Sequence, residues 1–197
     1  ADFMDVFDKI RAKYGVFSVL GNHDYGDYVE WPSHEAKQQN LEKMIQIHKT
    51  LGWRLLMNEH EKLSINGQEL AIIGVENYSA LSRFPKHGDL EKACFGIENG
   101  GLKILLSHDP SHWDAQVNQR FQDIALTFSG HTHGCQFGVE IPGMVKWSPI
   151  QYLYKQWAGL YRKGEQFIYV NRGLGFIGYP GRVGILPEVA VIELSKA

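Results

Sequence analysis

The sequence predicts a layered α/β fold with at least one mixed sheet. Short apolar runs alternate with amphipathic helical stretches, and a hairpin signal joins two of the runs. In addition, three of the apolar runs end in a loop that carries histidine.

Taken in chain order, residues 2–13 place Phe3, Met4, Phe7, Ile10 and Ala12 at helical spacing, with Gly15 as the stop, which predicts an amphipathic helix. Val16-Phe17-Ser18-Val19-Leu20 reads as a buried strand and ends in Gly21-Asn22-His23-Asp24. Ser33, after Pro32, opens a second helix that runs to Thr50. Residues 54–57 read as a strand. Residues 61–65 and 69–75 flank Asn66-Gly67, the strongest short hairpin signal. Residues 89–95 read as helix. Leu102-Lys103-Ile104-Leu105-Leu106 is a second buried strand, ending at Ser107-His108-Asp109-Pro110, and residues 112–121 read as helix. Residues 124–128 form the third such strand, ending at Ser129-Gly130-His131-Thr132-His133-Gly134. Residues 136–141, 166–171 and 188–193 read as further strands separated by Gly- and Pro-rich turns.

Composition bounds the function. The 197 residues are 44% hydrophobic and 21% charged, the balance of one globular domain able to bury a core. A net charge of −2 excludes a polybasic nucleic-acid binder and an acidic disordered tail, so no nucleic-acid binding is expected. No apolar run approaches the ~20 residues that span a bilayer. Residues 1–5 are acidic, unlike a signal peptide, so the chain as given reads as a soluble domain. The missing initiator Met points to a processed or truncated chain. Two cysteines, Cys94 and Cys135, make no disulfide scaffold, although they leave room for one bridge.

Ligands in open α/β sheets bind beyond the carboxyl ends of strands. If the three His-bearing strands are neighbours, Asn22, His23, His108, His131 and His133 converge on one rim. Neutral imidazole is the commonest metal ligand, and an Asn carbonyl is a hard oxygen donor. This N/O set favours Mn, Fe, Zn or Co over a thiolate site. His131 and His133, two apart, can serve two different metals, which in two-metal hydrolases sit ~3.5–4 Å apart. A single strand-end His is more often a surface or hydrogen-bonded residue, and Asn-His-Asp can be a turn alone; three His clusters after three apolar runs carry more weight. His34, His48, His60, His87 and His112 lack such a context and are read as surface.

These motifs resemble the calcineurin-like metallophosphoesterase family, whose signatures in order are Asp-x-His, Gly-Asp, Gly-Asn-His-Asp/Glu, a lone His after a strand, and Gly-His-x-His. The last three stand here as Gly21-Asn22-His23-Asp24, His108 and Gly130-His131-Thr132-His133. The closing segment, Arg172-Gly173-Leu174-Gly175 and then Arg182 to Glu188, looks like a bacterial, often membrane-associated branch of phosphodiesterases. No Asp here has a His two residues later, and Gly26-Asp27 and Gly88-Asp89 follow the Gly-Asn-His-Asp segment instead of preceding it. Cys135 stands where members usually carry Gly.

The resemblance implies one αββα sandwich domain over residues 1–197, N-terminally incomplete, with mixed sheets. It implies Asn22, His108 and His131 on one divalent metal and His133 on a second, completed by residues this chain lacks. The expected ions are Mn, Fe, Zn or Co, with partial or no occupancy in this chain. The reaction implied is hydrolysis of a phosphodiester or diphosphate. A water acidified between the two cations is the nucleophile, His23 is the leaving-group acid, and Asp24 orients the His23 ring. The chain alone is expected to be weakly active or inactive, and its parent to be anchored through an absent N-terminal segment. Dimerisation is one way to cover a truncated sheet edge. The aromatic segment 147–161, with Trp147, Tyr152, Tyr154, Trp157 and Tyr161, reads as a cap for a lipid-linked substrate, a base-stacking surface or ordinary packing. Arg172 and Arg182, in the terminal glycine-rich loops, read as phosphate contacts or, more in keeping with their setting, as solvated surface cations. The competing classes are a non-catalytic adaptor on the same fold, disfavoured by the retained His23-Asp24 pair, and another metal enzyme such as an amidohydrolase, whose early His-x-His is also missing.

Overall fold

The structure is a computed structural model and describes residues 3–97, 101–141 and 143–195. A short helix α1 (Met4–Phe7) precedes strand β1 (Phe17–Ser18), helix α2 (His34–Thr50) and strand β2 (Arg54–Leu55). Then come β3 (Glu59–Ile65), β4 (Gln68–Gly74), α3 (Leu90–Cys94), β5 (Leu102–Leu106), a π-helical turn (Trp113–Val117) running into α4 (Asn118–Arg120), and β6 (Ile124–Ser129). The small hairpin β7 (Val139–Ile141) and β8 (Val145–Trp147) leads to β9 (Gly159–Lys163) and β10 (Gln166–Val170).

Six strands form one mixed sheet in the order β3-β4-β5-β6-β10-β9. The inner four are mutually parallel, and β3 and β9 close the edges antiparallel. The β3–β4 hairpin turns at Asn66-Gly67 as expected, with both residues at positive φ, the two-residue turn whose twist matches its strands. β1 and β2 pair parallel, and α2 supplies the crossover that parallel pairing requires. The Ser33 side chain caps α2 by accepting from the Ala36 N–H at 3.2 Å.

The inner strands are apolar on both faces, which is why they read as continuous runs. On one face Ile73, Val75, Leu105, Ile168 and Val170 pack against Leu90 and Ala93 of α3 and against Trp113 and Val117 of the π turn. On the other, Ile72, Ile104 and Leu126 meet Leu56, Phe17 and Val19 from the β1–β2 layer. Gly74 is required there: a Cβ at that position would run into the Leu56 and Val19 side chains.

Several expected elements are shorter. Helix 2–13 is one turn, Met4–Phe7, with residue 2 outside the described residues; no side chain of that turn is buried, and short helices depend on tertiary packing. Segment 188–193 pairs with no strand; its Glu188 is held by Arg172 and Tyr169, away from any sheet edge. Segment 136–141 is strand only from Val139, because the buried Gln136 turns inward to bond the Tyr179 and Gly181 carbonyls.

His112, read from the sequence as surface, is completely buried. Its Nε2–H donates to Gln116 Oε1 and its Nδ1 accepts from the Ser107 hydroxyl, both at 2.9 Å, so the neutral ring is fully bonded. Burial pushes its pKa from 6.5 down to about 4. The unfolded chain therefore binds more protons than the folded one between those values. Stability from this group is complete above pH 6.5 and is lost as the pH falls toward 4, by at most ~1.4 kcal/mol per pH unit. Urea unfolding at pH 7, 6 and 5 should show this decline, and His112→Gln should make it shallower; equal slopes would refute the assignment.

Candidate metal centre

The parallel ladder continues past the strand ends and sets the site. Ser107 N donates to Phe128 O, Gly130 N to His108 O and Asn171 N to Ser129 O, at 2.8–3.0 Å. The loops after β5 and β6 are thereby fixed side by side. The loop after β1 closes on itself: Asp24 N donates to Gly21 O at 3.1 Å, and Asp24 Oδ2 accepts from Gly21 N at 2.7 Å. Asp24 thus holds the turn that carries His23, and its described hydrogen bonds go to this backbone and not to the His23 ring.

Three of the expected ligands meet directly. Asn22 Oδ1 lies 2.9 Å from His108 Nε2 and 3.0 Å from His131 Nδ1, and the two ring nitrogens are 3.1 Å apart. The amide is oriented by its other end, where Nδ2 donates to Tyr28 Oη at 2.8 Å. The His108 ring lies flat against Gly21, where a Cβ would fall 2.6 Å from Cε1.

The loop after β6 is strained and over-determined. His131, His133, Cys135 and Gln136 all have φ between +51° and +67°, a region side-chain-bearing residues seldom occupy. Thr132 Oγ1 donates to Trp157 O, Ser148 Oγ to Gly134 O, and the Gln136 amide to two carbonyls. His133 has a buried Nδ1 without a partner. His23 is exposed, its ring over Tyr28 at 4.5 Å between centroids. Asn22, His23, Asp24, His108, His131 and His133 all line one cavity of about 670 Å³. A cavity of similar size along the β3–β4 hairpin contains no histidine.

Electrostatics suit cation binding. Burial, with the neighbouring His131, His133 and His23 rings adding to it, pushes His108 down to about 3. Burial also lowers His131 and His133, the latter with help from the Arg182 cation. All three rings are therefore neutral near pH 7 and keep a lone pair. Among the described residues no three His, Cys, Asp or Glu side chains form a cage, and the cluster is two imidazoles and an amide. The donors nevertheless fit: ligands ~2.1 Å from an ion and at right angles stand about 3 Å apart, the spacing of this triangle.

Sequence reasoning missed Tyr28, Arg83 and Phe84, which also line the cavity, as does Tyr154. Tyr154 had a signal, the aromatic segment; Arg83 had none. In that segment Tyr154 and Trp157 are core, and Tyr152 is exposed. Both cysteines are free, and Cys135 lines the cavity. Arg172 and Arg182 are not solvated as expected: Arg172 pairs with Glu188 and Glu140, and Arg182 donates to the carbonyls of His133, Arg172, Gly173 and Gly175.

The family model for calcineurin-like phosphoesterases matches residues 2–135, a span that contains every histidine of the site. The chain belongs to this family. Members are metal-dependent hydrolases of phosphoric esters. A zebrafish (Danio rerio) relative named as a transmembrane protein with a metallophosphoesterase domain is 31% identical over 96% of this chain and 40% of its own length. The Bacillus subtilis metallophosphoesterase YkoQ is 26% identical over 98% of this chain and 65% of its own. The chain thus spans less than two thirds of either relative. A solved Staphylococcus aureus structure assigned as a 5′-nucleotidase shares the fold, with a TM-score of 0.50, 12% identity, and cover of 98% of this chain and 42% of that one. No helix among the described residues is long and apolar enough to cross a membrane.

Gly21→Ala tests the packing of the Asn22–His108–His131 triangle as a candidate cation site. The new methyl should push the His108 ring off the triangle and weaken Mn²⁺ or Zn²⁺ binding about ten-fold or more, with far-UV circular dichroism unchanged. Undiminished affinity would show that His108 needs no such support.

Proposed function

We propose that this chain carries the hydrolytic site of a metal-dependent phosphoesterase acting on phosphodiesters or diphosphates. Asn22, His108 and His131 would hold one divalent cation and His133 would contribute to a second, with Mn, Fe, Zn or Co suited to the donors. The observation that carries this proposal is the triangle of neutral donor atoms at 2.9–3.1 Å. When bound, divalent cations supply charge neutralisation at the phosphoryl group and a water more acidic than bulk.

The chain's own residues do the remaining work. His23, exposed on the cavity wall, would give a proton to the departing oxygen as that oxygen gains charge. Asp24, by closing the loop onto Gly21, keeps Asn22 inward and His23 outward. The Arg83 cation lines the same cavity and favours an anionic substrate. Phe84, Ile150, Phe176 and Ile177 make the remaining wall apolar, and Leu174 and Phe176 beside it are largely exposed. These features support a phosphoester that bears an apolar group, such as a lipid-linked diphosphate. A purely adaptor role leaves the His23 position and the neutral donors without use.

In the intact natural protein, His23→Ala should lower metal-dependent kcat by about 10²–10⁴-fold on a diester with an alkyl leaving group. A p-nitrophenyl diester, whose leaving group needs no proton, should lose much less. Equal losses would remove His23 from proton donation. The 197-residue chain, with three donors at one position and one at the other, should hydrolyse weakly; a metal-dependent kcat above about 1 s⁻¹ would overturn that.

A further inference from the structure

Asp109 follows the ligand-type His108 directly, yet it faces the other way and is completely buried. Its Oδ1 accepts from the Ser111 N–H at 2.8 Å. Its Oδ2 lies 3.4 Å from Tyr154 Oη and 3.5 Å from His131 Nε2. Tyr154 is itself buried, and its Oη lies 2.8 Å from the same Nε2. A hydroxyl, a ring nitrogen and a carboxylate oxygen therefore meet on the side of the His131 ring opposite Asn22 and His108.

With Asp109 as a carboxylate, one hydrogen arrangement satisfies all three groups. If the Tyr154 hydroxyl gave its proton to a bare His131 Nε2, Asp109 Oδ2 would face two lone pairs and no donor. A buried carboxylate oxygen left that way is costly. If instead Nε2 carries the hydrogen, it donates to Tyr154 Oη, and Tyr154 Oη–H donates to Asp109 Oδ2. Every buried atom then has a partner. In that state His131 Nδ1 holds a lone pair aimed at Asn22 Oδ1, itself an acceptor, and at His108 Nε2, which can bring at most one hydrogen. The three atoms then present more lone pairs than hydrogens, an electron-rich cradle. The Phe84 ring stands edge-on to His131 at 4.9 Å between centroids and fixes its plane.

We propose that Asp109 and Tyr154 are positioning residues that lock His131 in the Nε2–H tautomer and so present Nδ1 to a cation. This rests on the function proposed above, in which His131 is a ligand. Neither residue touches the substrate; each acts through the ring. The geometry gives Tyr154 a reason to sit in a core segment with a polar end, and it gives Asp109 a use that the His108 position does not supply.

The test reads the tautomer directly. Two-bond ¹⁵N–¹H correlation on the metal-free 197-residue chain should show His131 with Nε2 protonated and Nδ1 bare. Tyr154→Phe keeps the ring and breaks the relay, and should yield mixed tautomers at His131 while the His112 ring signals stay as they were. Its affinity for Zn²⁺ or Mn²⁺, read in the intact natural protein by competition with a chromogenic chelator, should drop by about 10–100-fold. Asp109→Asn is the second variant, and should shift the tautomer in the same direction. A wild-type ring protonated at Nδ1, or a Tyr154→Phe protein with unchanged tautomer and unchanged affinity, would overturn the proposal. If the wild-type tautomer is as stated but the intact protein binds neither ion, the lock stands and the cation assignment of the preceding section falls.

Discussion

Burial of neutral imidazole is the constraint on which this site depends. A histidine in water at neutral pH is partly protonated and repels cations. A histidine taken out of water cannot afford the charge, so its pKa falls and a lone pair persists. His108 is the extreme case, pushed down to about 3, and His131 and His133 follow for the same cause. Desolvation and mutual repulsion act together: each ring that enters the pocket makes protonation of the others harder. The contact between His131 Nε2 and Asp109 at 3.5 Å is thus an orienting polar contact between a neutral ring and a carboxylate, and not an ion pair.

Such a pocket holds only if the backbone beneath it is rigid, because three donor atoms must stay 3 Å apart across more than a hundred residues of chain. The sheet provides that rigidity. Parallel strands present their carboxyl ends at one edge, and the hydrogen bonds that run on past β5, β6 and β10 carry the sheet's register into the loops themselves. The strained conformation after β6 is tolerated for the same reason. Hydrogen bonds of Thr132, Ser148, Gln136 and Arg182 tie that loop to Trp157, to Ser148 and to the segment 179–182, so that left-handed residues other than glycine are held in place.

How much of this was legible in the sequence follows from the range of the interactions. Elements defined by local pattern appeared as expected: the Ser33-capped helix, the Asn66-Gly67 hairpin, and the apolar runs of β5 and β6. The histidines of the site were legible because each stands directly after such a run, where the sheet itself places it. What failed was whatever depends on a distant partner. Residues 3–13 have a helical pattern, but only Met4–Phe7 is helical and none of its side chains is buried. Segment 188–193 alternates like a strand, yet Glu188 is claimed by Arg172 and Tyr169. Arg172 and Arg182 look like surface cations until the carboxylates and carbonyls that surround them are brought in by the fold. Tyr154 is one aromatic among several, and nothing near it in sequence says that its hydroxyl meets a histidine 23 residues away.

His108 and His112 show how narrow the margin is. They stand four residues apart, and on an uninterrupted helix they would share a face. The chain does not allow it. β5 ends at Leu106, Asp109 turns inward to accept from Ser111, and Pro110 can offer no N–H to continue a ladder. The turn sends His108 toward the loop after β1 and His112 under the sheet end, where Ser107 and Gln116 saturate both its nitrogens. A saturated ring cannot accept a cation without losing a bond. His131 has its far nitrogen engaged by Tyr154 and its near one turned toward Asn22 and His108. The difference between the two rings is which nitrogen the fold leaves turned into the cavity. That is decided by where the strand stops and by which groups wait on the far side of the ring.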